Sequence, residues 1–168
     1  MNDRDNLDRG RMTTMEAEAP PPASRIVPLS DLHTHKVASG DPDVRGWPVV
    51  SGDGRTVGRV DGLLVDTVAM RVRYLDVILD LGPAEEAHPA APLGAAGERH
   101  VLIPVGFARL GGSEDRIFVE GLPSDEAARL PAYDGGELTR EAEAALLARF
   151  DRSSYDENRF YSVRRGRR

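Results

Sequence analysis

The sequence predicts an all-β fold: a small antiparallel barrel of five or six strands, then a short C-terminal helical extension, with disordered ends. Three observations lead there. Short runs rich in Val, Leu and Ile recur at even spacing between 44 and 120, separated by glycine-bearing turns. The run Arg71–Leu79 alternates as a strand does. After Gly121 the apolar spacing becomes helical. A length of 168 residues suits one domain with tails. The expected division is a disordered tail over 1–41, a β domain over 42–121, a helical extension over 122–150 and an Arg-rich flexible tail over 151–168.

Each element has a local reason. Residues 1–41 alternate charged with small residues and hold Pro20, Pro21 and Pro22. Apolar residues there are too sparse to offset the entropy of ordering, and 25–29 reads as a less polar part of the same tail. Residues 44–50 read as a first strand, which Pro48 confines to an edge or a strand start. Gly52 and Gly54 around Asp53 supply the positive-φ positions of a tight hairpin turn. Thr56–Asp66 follows as a long second strand, with Gly58 and Gly62 marking bulges or close backbone approaches. A turn at 67–70 leads into the third strand. Its alternation places Arg73, Leu75, Val77 and Leu79 on one side and Val72, Tyr74, Asp76 and Ile78 on the other. Both sides are partly apolar, so one faces the core and the other needs cover from a helix, a tail or a partner.

Residues 82–98 are rich in Pro, Ala and Gly and read as a disordered loop, longer than a hairpin needs. A fourth strand is expected over 99–105, continued by 107–110, and a fifth over 116–120. Ser124 then reads as the N-cap of a first helix with acids in its first turn. Thr139 caps a second, whose Ala142, Ala145, Leu146 and Phe150 lie near one face.

Composition narrows the function. There is no cysteine, which excludes disulfides, thiolate nucleophiles and Cys-ligated metal sites. The net charge of -6 argues against a dedicated nucleic-acid binder, since phosphate binding needs a concentrated positive field. The charged N-terminus lacks the apolar core of a secretory signal. No apolar run nears the roughly 20 residues of a membrane span. The expected location is the cytoplasm.

Four segments together carry a resemblance. They are 43–49 (Asp-Val-Arg-Gly-Trp-Pro-Val), 57–66 (Val-Gly-Arg-Val-Asp-Gly-Leu-Leu-Val-Asp), 72–77 (Val-Arg-Tyr-Leu-Asp-Val) and 100–109 (His-Val-Leu-Ile-Pro-Val-Gly-Phe-Ala-Arg). Over roughly 42–150 the chain resembles the PRC-barrel family, and within it the cytoplasmic domain of the H subunit of photosynthetic reaction centres. The resemblance implies a small β-barrel acting as a non-enzymatic adaptor or assembly module that binds a protein partner, a second copy included. The photosynthetic subunit carries an N-terminal transmembrane helix that residues 1–41 cannot form, so a stand-alone relative with another partner is expected.

Candidate residues follow from these readings. Val72, Tyr74 and Ile78, on the side of the third strand that needs cover, are the first candidates for a partner surface. Trp47 and Phe107 join them, because aromatics dominate interface hot spots. The alternative is an RNA- or ribosome-associated factor that uses Arg159, Arg164, Arg165, Arg167 and Arg168, interleaved with Tyr155, Phe160 and Tyr161. No catalytic residue, cofactor or metal is expected. His33 and His35 are two apart in a tail and make a weak chelate. His100 reads as a surface histidine. Asp61, Asp66 and Asp76 read as ordinary cross-strand partners of Arg59, Arg71 and Arg73. No nucleophile elbow or phosphate-cradling glycine loop occurs.

Overall fold

The computed structural model describes residues 24–32, 42–80 and 98–162. Seven strands form one sheet: β1 (Ile26–Pro28), β2 (Pro48–Val50), β3 (Thr56–Asp66), β4 (Arg71–Leu79), β5 (His100–Pro104), β6 (Ala108–Leu110) and β7 (Ile117–Val119). Three short helices follow: α1 (Ser124–Ala127), α2 (Arg140–Leu147) and α3 (Glu157–Ser162).

The hydrogen-bonded order is β5-β4-β3-β2-β7-β6, with β1 also paired to β3. The path ends at β5 and β6, yet only the 3-10 turn Val105–Phe107 separates these two strands in sequence. Pro104 and Ala108 therefore lie within about 14 Å of each other, whereas six strands laid flat would hold the two ends about 24 Å apart. The sheet must curl. Its ends meet through a chain turn rather than a β5–β6 ladder, so the barrel is not closed by hydrogen bonds among the described residues.

The hairpin of β3 and β4 is the spine, pairing from Gly58 opposite Leu79 to Asp66 opposite Arg71. β5 extends it, with Leu75 opposite Ile103 and Val77 opposite Val101. Leu75, Val77, Val101 and Ile103 have no exposed surface. One expectation fails here: β2 and β7 run parallel, Val49 opposite Ile117. They are joined by all the intervening strands, so no tight hairpin forces them antiparallel.

Three further readings are corrected. Residues 26–28, expected to belong to a disordered tail, form β1. β2 covers only the Thr56 end of β3, and β1 pairs with the open remainder, Ile26 opposite Asp66 and Pro28 opposite Leu64. Ile26 and Val27 are buried, and Ile26 accepts a backbone hydrogen bond from Leu138. Local composition could not show this, because the edge that recruits these residues lies forty positions downstream.

The second correction concerns 151–162, the described part of the segment 151–168 expected as a flexible tail; residues 163–168 lie outside the described residues. Asp151 accepts from the Ser153 amide and starts a 3-10 turn at Arg152–Ser154, and α3 follows with Phe160 buried. Phe107 stacks on Phe150 at 4.8 Å and meets the Tyr155 ring edge-on at 5.3 Å. Gly106 leaves room for that tyrosine; a Cβ there would stand 2.2 Å from its ring. Aromatic packing orders the described part of this segment.

The third concerns the helix starts. Pro123, not Ser124, occupies the cap of α1, and the Ser124 hydroxyl donates instead to Asp53 Oδ2 at 2.7 Å. Thr139 does cap α2, accepting from the Ala142 amide at 3.2 Å. On the predicted face of α2, Leu146 and Phe150 are buried, while Ala142 and Ala145 stay exposed.

Asp53 bridges the β2–β3 turn to α1 through the hydroxyls of Ser51 and Ser124. The Ser51 hydroxyl, then that of Ser124, holds its carboxyl down at about 2. A depressed carboxylate contributes stability that is present above its ordinary value of 3.8 and is lost as pH falls toward about 2. Asp53→Asn is therefore expected to flatten the stability curve between those two values. Urea midpoints measured in steps from pH 5 to pH 2 check it. A variant curve parallel to wild type throughout that window would disprove it.

Candidate functional site

The chain presents two features that no single strand could build alone. The first is the tip of the β3–β4 hairpin. Asp66 Oδ1 accepts from the amides of both Val68 and Ala69 at 2.9 Å, and the Asp66 carbonyl accepts from Met70 at 2.9 Å. Burial opposes ionisation of Asp66. Hydrogen bonds from Ser24, Ala69 and Val68, with the charge of Arg73, outweigh it and hold the carboxyl below its ordinary value. Thr67 bonds back to the carbonyl of Arg25 at 3.0 Å. Met70 sits at φ 51°, in the left-handed region uncommon for a residue with a side chain. On this braced turn Val68 is 53% and Met70 51% exposed. Among the described residues the next most exposed large apolar side chain is Tyr155, at 39%.

The second feature lies across β3, β4 and β5. Asp76 Oδ1 stands 2.8 Å from His100 Nδ1. The pair is diagonal: His100 faces Ile78, and Asp76 faces Leu102. Asp61 enters from a bulge in β3, where the register passes from Val60 opposite Val77 to Gly62 opposite Asp76. The extra residue turns the Asp61 carboxylate toward the pair, as bulges do at sites where a side chain must be re-aimed. The ligand atoms of Asp61, Asp76 and His100 all lie within 4.8 Å of one another. Burial raises the Asp76 carboxyl above its ordinary value and the charge of Asp61 adds to this, while His100 opposes both. Tyr133, whose amide bonds to the His100 carbonyl, has its phenol raised by burial and by the nearby carboxylates of Asp76, Asp134 and Asp31. The surroundings of the cluster are thus acidic.

The residues expected at a partner surface fall elsewhere. Tyr74, Ile78 and Phe107 are buried inside the chain's own fold. Tyr74 lies under α2, its hydroxyl donating to Glu143 Oε1 at 2.5 Å. Burial and then Glu143 push that phenol well above its usual range. The side of β4 that needed cover is covered from within. Trp47 and Val72 are half-buried and pack on the core. Tyr74→Phe is expected to lower stability by about 1 kcal/mol, the net worth of one hydrogen bond, which urea unfolding would read. Of the arginines proposed for nucleic acid, Arg159 pairs with Glu120 at 2.5 Å and Asp156 at 3.8 Å. Arg164, Arg165, Arg167 and Arg168 lie outside the described residues, as do His33 and His35.

The carboxylate readings divide. Asp66 does pair with Arg73, at 3.6 Å. Asp76 pairs with His100 instead of an arginine, so His100 is not simply a surface histidine. The cluster escaped sequence reasoning because its members come from three strands, with Asp76 and His100 24 residues apart. The polar residues Asp61 and Asp76 within apolar strand segments were the only signal. A shallow pocket of about 150 Å³ also lies between β3 and α1, lined by Arg55, Thr56, Leu79, Asp80 and Ser124 among others.

A curled sheet, wrapped over an aliphatic core without a closing ladder and covered by small helices, defines a small β-barrel domain. The model of the PRC-barrel domain matches residues 37–125, more than half of the chain. The chain belongs to the PRC-barrel domain family. No helix among the described residues is long and apolar enough to cross a membrane.

Proposed function

We propose that this protein is a non-enzymatic adaptor that binds a protein partner through its PRC-barrel domain, with the tip of the β3–β4 hairpin as the contact. The observation that carries the reading is the pair Val68 and Met70, half exposed on a turn fixed by Asp66. A preorganised turn loses little conformational freedom on binding, so the apolar contact converts more fully into affinity. Methionine suits such a surface because its side chain adapts to the partner's shape. The resemblance to the H-subunit domain, an assembly module, supports the same reading. The RNA alternative rests on the arginines beyond residue 162, and Arg159 is already engaged with Glu120 and Asp156.

The test compares tagged wild type with Val68→Ser/Met70→Ser in pull-downs from native extract, split into soluble and membrane fractions and read by mass spectrometry. The double variant changes only exposed side chains and is expected to keep its fold. Loss of one specific protein from the variant's retained set, with unchanged circular dichroism, is the expected result. Equal retention by both would remove the hairpin tip as the contact. Retention of RNA alone, lost at higher salt, would favour the nucleic-acid reading.

A further inference from the structure

We infer that Asp61, Asp76 and His100 form a binding site for one divalent metal ion of the zinc class. The donor set comes from adjacent strands β3, β4 and β5 and converges on one point, with all three ligand atoms within 4.8 Å of one another. Around a single zinc ion with bonds of about 2.0–2.1 Å, neighbouring ligand atoms stand about 3.4 Å apart. Asp76 Oδ1 and His100 Nδ1, hydrogen-bonded at 2.8 Å, would exchange the shared proton for the ion and separate by a few tenths of an ångström. Asp61 is exposed and closes the remaining distance by rotation of its own side chain.

The charge balance points the same way. Two carboxylates face one imidazole, and His100 is the one cationic group that acts on Asp76. Arg59, two residues before Asp61, pairs with Glu98 at 3.2 Å. Asp61 is exposed, and none of the side-chain hydrogen bonds or ion pairs among the described residues engages its carboxylate. A divalent cation would neutralise both carboxylates. Imidazole with two carboxylates suits a borderline ion such as zinc better than magnesium, which prefers oxygen ligands alone and retains its waters. Three protein ligands leave a fourth position for water or for a group brought by a partner. A bound ion would also tie three strands together, so binding and stability are coupled.

Isothermal titration with Zn2+ tests this on the full chain, freed of metal beforehand. Zinc is expected to bind one per chain and to raise the melting temperature. A His33→Ala/His35→Ala variant is expected to bind as wild type does, which separates this site from chelation by those two histidines. Asp61→Asn and His100→Gln are each expected to weaken binding by about tenfold or more. Asp61 is exposed, so the asparagine variant folds, and circular dichroism verifies this. The proposal is overturned by any of three results: no zinc binding by wild type, loss of binding in the His33/His35 variant, or unchanged affinity in Asp61→Asn and His100→Gln. Binding of Mg2+ in preference to Zn2+ would overturn the assignment of ion class.

Discussion

Ile78→Asp is expected to abolish cooperative folding, and Leu75→Asp to do the same. The two residues are on opposite sides of β4, so the pair asks whether both sides are core. Leu75 is 0% exposed and Ile78 6%. Each substitution forfeits roughly 2–3 kcal/mol of apolar burial. It also leaves a carboxylate in an apolar setting with no partner, which costs several kcal/mol more, or the same carboxyl taken up in protonated form. Their sum approaches the roughly 5–15 kcal/mol that holds an ordinary domain together. Far-ultraviolet circular dichroism with thermal and urea melts reads the outcome. An Ile78→Asp protein that still melts cooperatively near the wild-type midpoint would show that the second side of β4 is a surface. The partner-binding role first expected for Val72, Tyr74 and Ile78 would then return.

Gly58→Ala is the second large effect. A methyl group at this position would stand 2.1 Å from the carbonyl oxygen of Ile78 and 2.9 Å from its carbon. Those atoms are backbone of the paired strand, where Gly58 faces Leu79. Backbone within a ladder cannot rotate aside as a side chain would, so β3 and β4 must separate. The expected loss is about 3 kcal/mol, at the upper end for overpacking, with the hairpin that organises the sheet taking the damage. A smaller substitution does not exist, so Gly62→Ala serves as the comparison. Its Cβ would meet Asp76 at an ordinary 3.7 Å. Urea unfolding of both variants decides the matter. Equal midpoints for the two would mean that the close approach at Gly58 is not a constraint.

These two positions also show how far sequence reasoning reached. Gly58 was legible as either a bulge or a close backbone approach, the two uses of a glycine inside a strand, and the structure decides for the second. The strands Thr56–Asp66 and Arg71–Leu79 were legible for their full length, since apolar and polar residues alternate along them and turns bound both. The Thr139 cap was legible because capping is a local hydrogen bond. Ser124 carried the same local signal and failed, because a competing acceptor, Asp53, arrives from 71 residues away.

By itself, then, the sequence determined the aliphatic strands, their turns, the helical extension and the family resemblance. All of these rest on interactions between residues close in the chain or on patterns with a fixed period. The tertiary structure alone decided that β1 would be recruited to the edge of β3 and that α2 would cover Tyr74. It also decided that the C-terminal aromatics would pack on Phe107. The same holds for the meeting of Asp61, Asp76 and His100. A carboxylate on each of two strands and an imidazole on a third become one cluster only when pairing register and a bulge align them. Register is set by which side chains the whole core buries, a property that no single segment of the chain contains.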